Sequence, residues 1–165
     1  MPSDDLPVSR ASGRYIKSGG KQMTGILVTG HGHFATGIGS AVKLILGEQE
    51  NFVTVDFPEG DTKTELEANM KAALEQLKSA EHILVFCDLL SGSPFNTIVP
   101  LAMADGRMRV FYGTNLGMLI EVTMNRNLGS SFEELLEDIV KTGREQVGAF
   151  SSEQTENSDG DDDWD

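Results

Sequence analysis

The chain has 165 residues, 39% hydrophobic and 24% charged, which is enough for one globular domain with its own core plus tails. Its formal net charge of −13 argues against nucleic acid, whose phosphates it would repel, and against an anionic membrane surface. The single cysteine, Cys87, excludes an internal disulfide; with no apolar run near the ~18 residues of a membrane span and no signal-peptide core, a cytoplasmic protein without direct membrane insertion is expected.

Residues 1–22, rich in Ser and Gly, read as a flexible leader, so the domain is expected to start at Met23. Ile26, Leu27 and Val28 form a short apolar run between Gly25 and Thr29-Gly30, the signature of a strand buried on both faces. His31 follows at its carboxyl end, bracketed by Gly30 and Gly32, which removes side-chain bulk from both sides of the imidazole. His33 lacks the second bracket and reads as solvent-facing or secondary. Ile38, Val42, Leu44, Ile45 and Leu46 mark a helix stopping at Gly47.

Residues 51–57 read as a second strand, and Thr62 with Glu65 has the spacing of a capping box opening a helix over 61–80. The third strand, 82–87, is almost wholly apolar and ends at Asp88; Cys87 is expected to be a buried thiol. In the loop that follows, Ser93 is a candidate N-cap, Pro94 a first helical residue, and Pro100 a kink. A fourth strand over 108–112 leads through Gly113-Thr114-Asn115 to a short helix over 118–124. A last helix opens at Ser131 with Glu134 as its capping partner and runs towards Phe150.

Residues 151–165 hold seven acidic residues and no Lys or Arg, over half of the chain's excess charge, and read as an acidic disordered tail. The three segments are therefore 1–22, 23–150 and 151–165. Four alternations of strand and helix predict an α/β fold, doubly wound, with a mainly parallel four-stranded sheet and helices on both faces.

Two constellations compete for the chemistry. Gly30-His31-Gly32-His33-Phe34-Ala35 fits the dinucleotide fingerprint, with Asp56 where a ribose-binding acid would stand. Against it, a domain over 23–150 leaves no substrate domain, and a histidine occupies the turn where pyrophosphate should approach. The stronger pairing joins His31 to Asp88. If their strands are neighbours, the tips lie about 5 Å apart. A carboxylate accepting from one ring nitrogen would then leave the other as a nucleophile. Gly32, Ser91, Gly92 and Ser93 add hydroxyl and backbone donors beside a helix start, a cradle suited to a phosphoryl group. No metal cluster and no cofactor is expected. Phe34, Leu89, Leu90 and Phe95 are candidate docking contacts, and His82, at the opposite edge, is expected to be structural.

The runs ILVTGHGHFATG, LVFCDLLSGSPFN, FYGTNLGMLIEV and KTGREQV together resemble the IIA component of the mannose family of bacterial sugar phosphotransferase systems, over about residues 23–150. The resemblance implies that His31 is phosphorylated, that Asp88 orients it, and that Ser93 lies at the phosphate-binding helix start. It implies phosphoryl relay from the phosphocarrier HPr to a IIB component, an added antiparallel strand, a homodimer, and peripheral association with the permease through IIB. Ser91 stands where that family commonly has glycine, Leu90 where it commonly has an aromatic, and His33 makes a second candidate acceptor. The phosphocarrier subunit of a dihydroxyacetone kinase, a IIA-like regulatory domain, and a non-catalytic small-ligand binding domain are the alternatives.

Overall fold

The computed structural model describes residues 23–152; the leader and most of the acidic tail lie outside them. Four strands form one sheet in the order β2-β1-β3-β4: β1 (Thr24–His31), β2 (Phe52–Phe57), β3 (His82–Cys87) and β4 (Met108–Phe111). Every neighbouring pair is parallel. Among the described residues the antiparallel pairing is a single bridge between Gly32 and Phe57, not a further strand.

Period-two alternation divides the interior strands between two cores. Ile26, Val28, Leu84 and Phe86 face α1 (Phe34–Leu46), α4 (Leu116–Asn127) and α5 (Phe132–Glu145). Leu27, Ile83, Val85 and Cys87 face α2 (Lys63–Gln76) and α3 (Ser93–Ala104). Burial on both faces is why β1 and β3 read as continuous apolar runs rather than alternating ones.

β1 is longer than the apolar run alone indicates. Gly25 lies inside it, because a Cβ there would come 3.1 Å from Leu77 Cδ2; the glycine is a packing residue, not a boundary. Both capping boxes form: Thr62 N–H donates to Glu65 Oε2 at 2.6 Å and Ser131 N–H to Glu134 Oε2 at 2.7 Å. α2 ends at Gln76, short of 80, as Leu77 N–H and Ala80 N–H bond three residues back and turn the chain into β3. α5 stops at Glu145, leaving Val147 and Phe150 exposed. α1 starts four residues before Ile38, and α4 extends to both sides of 118–124, N-capped by Asn115. Pro100 lies inside α3 without ending it.

Arg126, at the end of α4, ties the amino edge together. Its guanidinium donates to the carbonyls of Thr24 and Asn51 and to Gln49 Oε1, each at 3.3 Å. A cavity of about 620 Å³ opens there, between Met23, Glu50 and Arg126. It lies at the edge opposite His31.

Candidate active site

The sheet's connectivity changes direction at β1: the chain passes first to β2 on one side, then to β3 on the other. Loops leave such a switch point in opposite directions and open a crevice at the carboxyl ends of the strands. His31 is the last residue of β1 and Asp88 the first after β3. Thr29 pairs with Cys87, so one more step of the register sets Gly30 beside Asp88.

Asp88 holds the histidine twice through one oxygen. Oδ2 accepts the backbone N–H of His31 at 2.8 Å and lies 2.7 Å from its Nδ1, while Oδ1 accepts Leu89 N–H at 2.8 Å. Burial opposes the charge on Asp88, yet these hydrogen bonds and the neighbouring imidazole outweigh it and hold the carboxyl below the usual range. An ionised Asp88 is an acceptor, so Nδ1 carries the proton and Nε2, on the side of Gly92 at the start of α3, keeps its lone pair. The His31 side chain is 43% exposed and that of Asp88 10%: a fixed carboxylate under an accessible ring.

Glycines shape this pair differently from the expected bracket. At Gly30 a Cβ would meet the Phe34 ring at 2.5 Å and the Asp88 carboxyl carbon at 3.0 Å; at Gly92 it would meet His31 Cε1 at 2.6 Å. The imidazole thus lies against Gly92, at the start of α3. Gly32 faces open space and is needed for its φ of +57°, which turns the chain so that its N–H reaches Phe57 O at 2.7 Å. The Phe57 ring stands edge-on, 6.1 Å from the His31 ring.

The N-cap of α3 is Gly92, not Ser93. Asn96 N–H already bonds to Gly92 O at 2.8 Å, so Ser93 is inside the helix and Pro94 follows it. Ser91 is exposed with φ +62°, the left-handed region where glycine is at ease. Asn96 Nδ2 donates to Ser91 O at 2.9 Å and fixes that turn. Behind it, Thr114 Oγ1 donates to Cys87 O at 2.7 Å and Gly113 N–H to Asp88 O at 3.1 Å. Asn96 and Thr114 bear on the site only through backbone carbonyls, a role that no motif marks.

Of the apolar contacts expected near the site, Leu89 and Leu90 are exposed, whereas Phe34 and Phe95 pack partly against the two cores. Cys87 is buried; desolvation, aided by the charge of Asp88, pushes its thiol up to about 12, which removes thiolate chemistry. His82 stacks on Phe132 with ring centroids 4.0 Å apart, at the other end of the sheet.

A second histidine–carboxylate pair adjoins the first. His33 is the N-cap residue of α1, and its Nδ1 lies 3.1 Å from Asp56 Oδ2. Asp56 also accepts Thr36 N–H at 2.9 Å and Thr36 Oγ1–H at 2.6 Å. The start of α1, where a pyrophosphate would sit in the dinucleotide reading, is therefore filled by the chain's own carboxylate. Among the described residues no group of three or more His, Cys, Asp or Glu gathers that could hold a metal ion.

Comparison with known proteins gives consistent matches. Residues 25–140 match the EIIA-man family model, described as a phosphotransferase system (PTS) fructose IIA component. The chain is 34% identical over 131 residues to the PTS mannose-specific EIIAB component of Escherichia coli K12, covering 79% of this chain and 41% of that one. It spans about two fifths of that relative's length. It is 33% identical over 137 residues to the sorbose-specific EIIA component of Lacticaseibacillus casei, covering 83% of this chain and 98% of the other. Among solved structures, EIIA from Streptococcus agalactiae superposes with a TM-score of 0.70 at 30% identity, over 79% of this chain and 99% of that one.

Proposed function

The chain belongs to the EIIA-man family of phosphotransferase-system IIA components, and from that membership we propose that it is a phosphoryl relay of a sugar uptake system, accepting its group on His31 Nε2. The observation that carries this reading is the doubly anchored contact between Asp88 and His31, which leaves one ring nitrogen protonated and the other with its lone pair at a switch point of the sheet. The donor is the phosphocarrier HPr and the acceptor a IIB component.

In the accepting step the Nε2 lone pair attacks phosphorus in line as the bond to the donor's nitrogen breaks, and the donor histidine departs with that electron pair. The attacking ring gains positive character, which the Asp88 carboxylate beside Nδ1–H stabilises. The first N–H groups of α3, less the one that Pro94 lacks, together with Ser91 and Ser93, form the cradle for the phosphoryl oxygens, and Gly92 lets ring and helix start touch. Gly32 aims the turn. Passing the group to IIB is the same exchange reversed at His31. The exposed Leu89 and Leu90 form the apolar side of the docking face.

The relay works as a homodimer in the cytoplasm and meets the membrane only through its partner; no helix among the described residues is long and apolar enough to cross a membrane. Mass spectrometry after incubation with phosphoenolpyruvate, enzyme I and HPr tests the reading. One acid-labile phosphate on the peptide containing His31 is the expected result, and an unmodified protein overturns it.

A further inference from the structure

The second histidine–carboxylate pair is not used by the chemistry above, and its position gives it a part in that chemistry. A phosphoryl group brings close to two negative charges to an edge where the side chain hydrogen-bonded to His31 is itself a carboxylate. No arginine is among the described contacts of His31. Arg107, Arg109 and Arg126 all bond to carbonyls at the amino ends of the strands, among them Ala80 O, Met108 O and Thr24 O. The first turn of α3 supplies partial positive charge, but Pro94 takes one N–H out of it.

His33 stands two residues from His31, so their Cα atoms lie within roughly 7 Å of each other, less than the screening length of about 8 Å at physiological salt. Its ring is 81% exposed, and Asp56 anchors it by Nδ1, which leaves Nε2 outward. Asp56 is in turn locked by the N–H and hydroxyl of Thr36, so the ring is tethered to the rigid start of α1. The charged side chain that His33 contacts is Asp56 from β2, and His31 lies two residues back in the chain.

We propose that His33, tethered by Asp56, is a positioning residue of the phosphoryl-transfer site: its imidazolium form draws the incoming dianion towards His31 Nε2 and stabilises it there. The proposal rests on the phosphoryl-acceptor reading of His31. His33 forms no covalent bond and gives up no proton; it acts by charge alone.

The test is the initial rate of transfer from phospho-HPr, measured from pH 5.5 to 8.5 on the full chain and on His33→Gln, His33→Lys and Asp56→Asn, each checked for a wild-type melt. At the acid end His33→Gln should be roughly threefold to tenfold slower than wild type, the scale of one charge acting across partly screened solvent. His33→Lys, which keeps a positive charge at this position, should keep the wild-type rate. Asp56→Asn should behave as an intermediate if folded. A His33→Gln profile that superimposes on wild type overturns the proposal, as does equal slowing in His33→Gln and His33→Lys with an unchanged profile, which marks a purely structural residue. Label on His31 in every variant with no rate difference overturns this proposal and leaves the relay intact. No label on the wild-type protein removes the relay reading and this one with it.

Discussion

In the proposed relay one ring nitrogen of His31 is held by Asp88 and the other accepts the phosphoryl group, so substitutions of the two residues should fail in different ways. His31→Ala should abolish phosphorylation, while His33→Ala should still be labelled on His31; mapping the phosphopeptide separates the two. Asp88→Asn should fold but transfer at least roughly tenfold more slowly, the usual scale for a positioned catalytic partner. An amide can favour the wrong tautomer and cannot offset positive charge on the ring. Label on His33 in the wild-type protein, or an unchanged Asp88→Asn rate in rapid-quench measurement, would contradict the assignment. Asp88 and Asp56 also bear on stability. Both are held below the ordinary carboxylate range in the fold, against the opposing effect of burial: Asp88 mainly by bonds from His31, and Asp56 mainly by Thr36. Their stabilisation is therefore full above the unfolded value of about 3.9 and is lost as pH falls through the lower folded values. Acid titrations followed by circular dichroism should show a shallower loss below about pH 4 in Asp88→Asn and Asp56→Asn. Ser91 offers a gain instead. Its φ of +62° costs on the order of 1 kcal/mol that glycine would not, so Ser91→Gly should raise the melting temperature.

At the scale of elements, what could be read from the sequence was what side-chain period and caps control. Thr62 with Glu65 and Ser131 with Glu134 named their helix starts because the bonds involved are local; Thr62→Ala or Ser131→Ala should cost about 1 kcal/mol in chemical denaturation, and no loss would show that the box is ornamental there. The apolar runs of β1 and β3 marked interior strands, and with them the meeting of His31 and Asp88. Positions governed by contacts distant in sequence were read less well. Gly25 looked like a boundary because Leu77, which packs on it, lies 52 positions away. Ser93 looked like a cap because its hydroxyl suits one, yet the helix starts a residue earlier, where only glycine leaves room for the His31 ring. Gly92→Ala puts a Cβ 2.6 Å from His31 Cε1, so it should slow transfer while sparing the melt. Val147 and Phe150 continued an apolar period beyond the point where α5 has anything to pack against.

Over the whole molecule, the described residues 23–152 contain both cores and the complete His31–Asp88 and His33–Asp56 pairs. Removal of 1–22 or of 151–165 should accordingly leave a cooperative melt and unchanged labelling, and loss of either would assign those segments a part in the domain. The proposed homodimer is checked by light scattering at micromolar protein; a monomer mass would refute it. The two edges of the sheet divide their tasks. Arg126 clamps the amino edge through three strand and loop oxygens, while the carboxyl edge holds the single proposed acceptor, Nε2 of His31. A single doorway cannot admit two visitors. In the relay proposed here, donor and recipient must therefore alternate, never meeting on the same protomer, and each becomes a competitive inhibitor of the other's visit. Steady-state traffic should show parallel double-reciprocal plots, and an excess of unphosphorylated recipient should throttle loading rather than speed it.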